Sequence, residues 1–312
     1  MGTMLLLCAL GALLSCPSNA GWAGREFALS FMQNYAPDYD SPRFQLYITA
    51  VQANAKVTVQ VPPLNFKQEK TLNAGETVTI SLPTSVEMYG SQKSPNTVRI
   101  EASADVTVTS FSSKLYTADT SVVYPTTEWG TEYFIFTPAG SPYGSFKEFS
   151  VTNGKESNKV EIFPLGSISF QGRVYESGSQ MLIDLQPYES VQLQSVYELS
   201  GTRVASQLPV AVVTGHTCTW RFSKCNHVYE QLLPVSRWGS SFIVPPLTFQ
   251  DRYDSVFLLA SQATRATVQY GNREEVLTLI RGQIMEVRYH NPETLSIQAD
   301  HGIQVLMLFN GS

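Results

Sequence analysis

Val57-Thr58-Val59-Gln60-Val61 alternates apolar and polar side chains without a break, and a period of two marks an extended strand with one buried and one wet face. Thr77-Val78-Thr79-Ile80, Val106-Thr107-Val108 and Ile297-Gln298-Ala299 carry the same pattern. Runs spaced i, i+3, i+4 are missing after the first twenty residues, so the alternation predicts an all-β chain. Short strands divided by Gly, Pro and Asn turns predict antiparallel β-sandwiches, of immunoglobulin-like or jelly-roll topology. The Cys-Trp-Cys spacing of true immunoglobulin domains is missing, because only six residues separate Cys218 from Cys225.

The order of the strands repeats. Phe44 to Ala50 has counterparts at Phe149 to Asn153 and at Val256 to Ala260, and Val57 with Val59 recurs as Val160 with Ile162 and as Val268 with Tyr270. The next turn and strand, Gly75-Glu76-Thr77-Val78-Thr79-Ile80, recurs as Tyr188-Glu189-Ser190-Val191-Gln192-Leu193 and as Gly282-Gln283-Ile284-Met285-Glu286-Val287. A last pair of strands follows Ala102-Ser103, Ala205-Ser206 and Ala299-Asp300. Pro125 with Trp129-Gly130 is matched by Pro234 with Trp238-Gly239, and Gly24-Arg25-Glu26-Phe27 is a fainter echo at the start of the first copy. These repeats predict three tandem sandwich modules of ordinary domain size, at 24–124, 125–233 and 234–312. In the Pro-x-x-x-Trp-Gly junctions, Pro is expected to end a strand, Gly to allow a sharp bend, and Trp to fill the gap between modules. Tryptophans so placed would join the modules into a semi-rigid rod.

The chain has 312 residues, 43% hydrophobic and 15% charged, with a net charge of -5. That is enough apolar material for a real core, and the acidic balance without Lys/Arg clusters excludes nucleic acid as a partner. Met4 to Leu14 is apolar and uncharged and is followed by Ser18-Asn19-Ala20. Too short to span a bilayer and followed by small residues, it predicts a signal peptide over residues 1–20 and a secreted product. No later stretch is long and apolar enough for membrane insertion, and the end of the chain lacks a lipid-anchor pattern. Cys8 and Cys16 would leave with the signal peptide, so Cys218 and Cys225 are expected to pair as a disulfide.

The richest constellation is His216-Thr217-Cys218-Thr219-Trp220-Arg221-Phe222-Ser223-Lys224-Cys225-Asn226-His227. Two His flanking two Cys allow a tetrahedral zinc site. Secretion and the Cys spacing favour instead a disulfide-closed loop with no metal. Such a loop would hold Trp220, Arg221 and Phe222 at a protruding tip between the second and third modules. Exposed aromatic and Arg side chains there are a candidate protein-contact surface; Trp220 folded back on its own module is the structural alternative. The sequence holds no Gly-x-Ser-x-Gly, His-Glu-x-x-His, Walker or Gly-x-Gly-x-x-Gly motif. The expectation is a non-enzymatic protein with no catalytic residues and no cofactor, a metal-dependent hydrolase being the remote alternative.

Thr97-Val98-Arg99-Ile100-Glu101-Ala102, Ser110-Phe111-Ser112-Ser113-Lys114, Val213-Thr214-Gly215-His216-Thr217-Cys218 and Val228-Tyr229-Glu230-Gln231-Leu232-Leu233-Pro234 resemble the N-terminal domain of the IgGFc-binding protein family. The resemblance runs from about Phe44 to Phe309, and the stretch from His-x-Cys to Glu-Gln-Leu-x-Pro is its most specific part. It implies a secreted mucosal protein, without catalytic activity, whose N-terminal region is associated with binding immunoglobulin Fc. Members also carry arrays of cysteine-rich von Willebrand type D domains, and this sequence departs from them in stopping after Phe309. No local motif carries Fc-contacting residues over. Partners implied are immunoglobulin Fc or mucin-type glycoproteins; a structural spacer of mucus or extracellular matrix is the second reading.

Overall fold

A computed structural model describes residues 21–35, 42–138, 144–221, 224–246, 253–289 and 293–308. The signal-peptide residues 1–20, Phe222 and the side chain of Arg221 lie outside the described set. Chain order begins with β1 (Ala23–Leu29), β2 (Arg43–Ala50), β3 (Ala55–Val61), β4 (Phe66–Leu72), β5 (Thr77–Ser81), β6 (Gln92–Ser94), β7 (Val98–Lys114) and β8 (Thr117–Val123). It continues with β9 (Gly130–Phe134), β10 (Lys147–Thr152), β11 (Asn158–Phe163), β12 (Ile168–Phe170), β13 (Arg173–Tyr175), β14 (Met181–Leu185), β15 (Ser190–Ser195), β16 (Arg203–Arg221) and β17 (Lys224–Gln231). The last set is β18 (Ser241–Val244), β19 (Asp254–Ala260), β20 (Thr264–Tyr270), β21 (Arg273–Leu279), β22 (Ile284–Tyr289), β23 (Leu295–Ala299) and β24 (Ile303–Leu308). The only helical turns among the described residues are short 3-10 turns, as the alternation demands.

One antiparallel pairing order is written three times. It reads β4-β3-β7-β1, then β14-β11-β16-β9, then β21-β20-β23-β18 for one layer. The facing layer reads β5-β2-β7-β8, β15-β10-β16-β17 and β22-β19-β24. Each repeat closes over its own apolar cluster: Leu46, Ile48, Val57 and Val59 in the first, Phe149, Val151, Val160 and Ile162 in the second, Val256, Leu258, Val268 and Ile297 in the third. Burying each such side chain stabilises the fold by roughly 1.5–3 kcal/mol, which is why the alternation dictates which face turns inward.

The repeated turn is the same in atomic detail. Backbone N–H groups of Gly75, Tyr188 and Gly282 donate to Ala50, Gly154 and Ala260 carbonyls, each at 2.8 Å. Carboxylate or amide oxygens of Glu76, Glu189 and Gln283 accept from the N–H groups of Asn73, Gln186 and Ile280 at 2.9, 3.0 and 2.9 Å.

Three features depart from the sequence reading. The expected last pair of strands is one continuous strand in the first two repeats, since β7 and β16 run 17 and 19 residues. Their first halves pair in one layer and their second halves in the other, a crossing made by a bend with shifted register rather than by a turn. Only in the third repeat does the strand break, between β23 and β24. The hairpin β12–β13 is an insertion in the second repeat, placing Ile168 and Phe170 in that core. And β6, from the first repeat, pairs with β15 of the second, Val191 opposite Lys93, so the first repeat lends an edge strand to the second repeat's sheet.

The two junctions share one geometry, and in it only the glycines play a part other than the one expected. A 3-10 turn occupies Thr126–Glu128 after Pro125 and Val235–Arg237 after Pro234. Trp129 Nε1 donates to the Tyr124 carbonyl at 3.3 Å and Trp238 Nε1 to the Leu233 carbonyl at 3.0 Å. Trp129 fills the gap between repeats, against Ala28, Ala211 and Tyr188, while the Trp238 ring lies 6.1 Å from that of Phe134. The glycines, however, make no left-handed bend. A Cβ on Gly24 would stand 2.4 Å from Pro125 Cβ, and one on Gly130 2.4 Å from Pro234 Cβ, so each glycine is there because the proline of the next junction packs onto it.

Candidate binding surface

Cys218 and Cys225 are joined in a disulfide, with Cα atoms 5.3 Å apart, near the end of the β16–β17 hairpin. That pairing rules out the zinc reading, and the histidines are engaged elsewhere. His216 Nδ1 accepts the Cys218 N–H at 3.0 Å, and His227 Nδ1 meets the His216 carbonyl at 3.1 Å. Burial lowers their pKa values to about 4 and about 3, so both rings are neutral at physiological pH and serve as buried hydrogen-bonding props. Among the described residues no group of three or more His, Cys, Asp or Glu could hold a metal ion.

The hairpin does not project between the second and third repeats. It lies along β8 of the first, with tips at the same end. Asn226 grips Ala118 from both sides, its Oδ1 accepting the Ala118 N–H at 2.9 Å and its Nδ2 donating to the Ala118 carbonyl at 2.8 Å. Further along, the Tyr229 N–H donates to Asp119 Oδ2 at 2.9 Å and the Gln231 N–H to Ser121 Oγ at 3.0 Å. Tyr229 packs on Met32 and Val213, and its hydroxyl meets Ser110 Oγ at 2.9 Å. On the other face Val228 reaches the third repeat beside Phe257, Leu306 and Leu308. Alternation along β17 therefore glues one hairpin to both neighbours, which the sequence spacing alone could not show.

Two carboxylates are trapped in the β8–β17 seam. Burial raises Asp119 to about 6, against hydrogen bonds from the Tyr229 and Thr120 N–H groups. Burial, with Asp119 nearby, raises Glu230 to about 8. The seam thus holds a proton more readily than two free carboxylates would, on Glu230 before Asp119.

At the joined tips several large apolar side chains face water. Trp220 is 40% exposed, and Leu115 and Tyr116, which turn β7 into β8, are 53% and 90% exposed. Tyr35 is at the same end, its N–H donating to the Thr217 carbonyl and its own carbonyl accepting from Thr117 Oγ1. Tyr116 has φ 67°, a left-handed conformation in which Gly or Asn is the ordinary residue. A tyrosine held there costs backbone energy that the β7–β8 pairing on either side of the turn sustains. Trp220 was legible from the sequence as a tip residue; Tyr35, Leu115 and Tyr116 were not, although a large apolar pair in a two-residue turn was the available signal.

A profile of the family described as IgGFc binding protein matches residues 119–312. The IgGFc-binding protein of Homo sapiens is 36% identical over 288 residues, which is 92% of this chain. The chain belongs to the IgGFc-binding protein family. It spans 5% of the length of that relative. The family match starts within β8, so it takes in Asp119 and the whole β16–β17 hairpin that packs against it. Among solved structures, the major pilin protein (T-13) of Streptococcus pyogenes overlaps 85% of this chain and 94% of its own at 8% identity. Its TM-score of 0.12 is too low to bear on the fold. No helix among the described residues is long and apolar enough to cross a membrane.

Proposed function

We propose that this chain is a secreted, non-enzymatic binding module that recognises a glycoprotein, immunoglobulin Fc or a mucin, through the joined tips of β7–β8 and β16–β17. One observation carries the reading: two hairpins from different repeats are lashed together at Ala118 and Asn226 and present exposed aromatics at one end. Clustered aromatic anchors on rigid strands are what protein-contact hot spots are made of. Family membership supports the Fc assignment, because the human relative is named for that partner. The repeat units are taken as 24–124, 125–233 and 234–312, with Trp220, Arg221 and Phe222 as the contact loop of the second. Capture experiments from serum and from mucus, with immunoglobulin G quantified separately, test this. Saturable capture of immunoglobulin or mucin, weakened by Trp220→Ala, is the expected outcome; no saturable partner from either fluid would leave the module as a structural spacer.

A further inference from the structure

A second site lies away from the tips, where the first two repeats meet. A cleft of about 230 Å³ opens there, lined among others by Arg99, Glu101, Trp129, Lys155, Glu156 and Tyr188. Arg99 is the lining residue with an unmet hydrogen-bonding group. Its guanidinium carbon sits 3.9 Å from the centroid of the Tyr188 ring, and its Nε is buried with no hydrogen-bond partner. Its cross-strand neighbours, Ala28 and Gln60, bring no acid to it. A guanidinium N–H withdrawn from water and left without an acceptor is unfavourable in the free protein, and a ligand supplying an acceptor removes the penalty.

The repeats themselves say that Tyr188 is the exception. The equivalent turn position holds Gly75 and Gly282, both with φ 76°, whereas Tyr188 has φ 57°. Its backbone hydrogen bond is the one those glycines make. In two of three copies, then, this turn uses the residue that suits a left-handed backbone. The second copy forgoes it for a ring that meets Trp129 and stacks under Arg99.

We infer that this cleft binds a small monocarboxylate, with the Arg99 guanidinium taking the carboxylate edge-on. The flat fork of arginine matches a carboxylate in two parallel hydrogen bonds. The other charges define what accompanies the carboxylate. Lys155 is held by Glu26 at 2.7 Å, while Glu101 and Glu156 are exposed on the rim. These acids repel a dianion such as phosphate and accept hydrogen bonds from hydroxyl or amide groups. Two ligand sources share this chemistry, a sugar acid and the C-terminus of a peptide. The site stands independently of the tip surface and of its partner.

Calorimetric titration of the whole chain with sialyllactose against lactose, and with an N-acetylated dipeptide acid against its amide, separates the sources. Binding of at least one acid, at least tenfold tighter than its neutral counterpart and than inorganic phosphate, is expected. Arg99→Gln should abolish it and Arg99→Lys weaken it about tenfold or more, with thermal unfolding reporting that the variants fold. Because Arg99→Lys keeps the charge and much of the stem, it covers the case in which Arg99→Gln fails to fold. The inference is overturned if neither acid exceeds its neutral counterpart, or if a folded Arg99 variant binds as the unaltered protein does.

Discussion

Individual residues in this chain are explained by what touches them more than by their local propensity. Gly24, Gly130 and Gly239 occupy the same motif, yet the first two face a proline at 2.4 Å while the nearest atom to a Cβ on Gly239 is Phe242 Cζ at 3.6 Å. Gly24→Ala and Gly130→Ala should each lower stability by about 1–3 kcal/mol, the usual cost of forcing atoms into a packed contact. Gly239→Ala should leave it nearly unchanged; urea unfolding midpoints measure all three. Titration gives a second expectation. Glu230 is protonated in the fold up to about 8, so its contribution is complete below the ordinary carboxylate range and is lost as pH rises through about 8. Asp119 behaves alike with its upper limit at about 6, whereas the neutral histidines act oppositely, their contribution being present above pH 6.5 and lost as pH falls through about 4 and 3. Between pH 6.5 and 8 Glu230 alone of these four should still be lowering stability, by on the order of 1 kcal/mol. Glu230→Gln should flatten that slope in denaturant titrations at pH 6.5 and 8.5, and an unchanged slope would place the titration elsewhere.

Strands were the most legible elements, because their alternation is a direct imprint of one buried face. Val57, Val59, Val160, Ile162 and Val268 all point into cores as the period of two requires. The long strands β7 and β16 were not legible as single elements. Around Ala102 and Ala205 the alternation lapses where the strand crosses from one layer to the other, and a lapse reads as a turn unless the crossing is known. The cysteine pair was readable from the expectation of secretion and from the count of cysteines left after the expected signal peptide, while the place of the hairpin depended on contacts with β8 more than a hundred residues away. Removing the disulfide by Cys218→Ala with Cys225→Ala should cost about 2–3 kcal/mol in the loop-closure picture. Amide hydrogen exchange should rise first at the tip, near Thr219 and Asn226, and later if at all in β10 and β15.

For the whole molecule, the recurring strand order was visible in sequence, and the edge strand that passes from the first copy to the second was not. Pairing of β6 with β15 is a three-residue contact with no motif. The polar seam beneath it likewise joins distant segments, with Gln194 Nε2 donating to Gln33 Oε1 at 2.9 Å and to buried Glu148 at 2.7 Å. The lent edge strand and the hairpin contact with β8 should make the first two repeats unfold together, with the tips keeping a fixed relation. The candidate surface was half legible for the same reason: Trp220 announces itself beside two cysteines, whereas Leu115 and Tyr116 matter only because Asn226 brings their turn alongside. If the tips act as one surface, Tyr116→Ala and Trp220→Ala should not be additive in binding. Asn226→Ala, at the lashing point, should weaken binding as well. The most direct measurement is a calorimetric titration of the chain with immunoglobulin Fc, carried through that pair of variants and their double. Saturable binding with a coupling of at least 0.5 kcal/mol between the two positions is expected; absent binding, or two fully independent effects, would contradict a composite surface built from both hairpins.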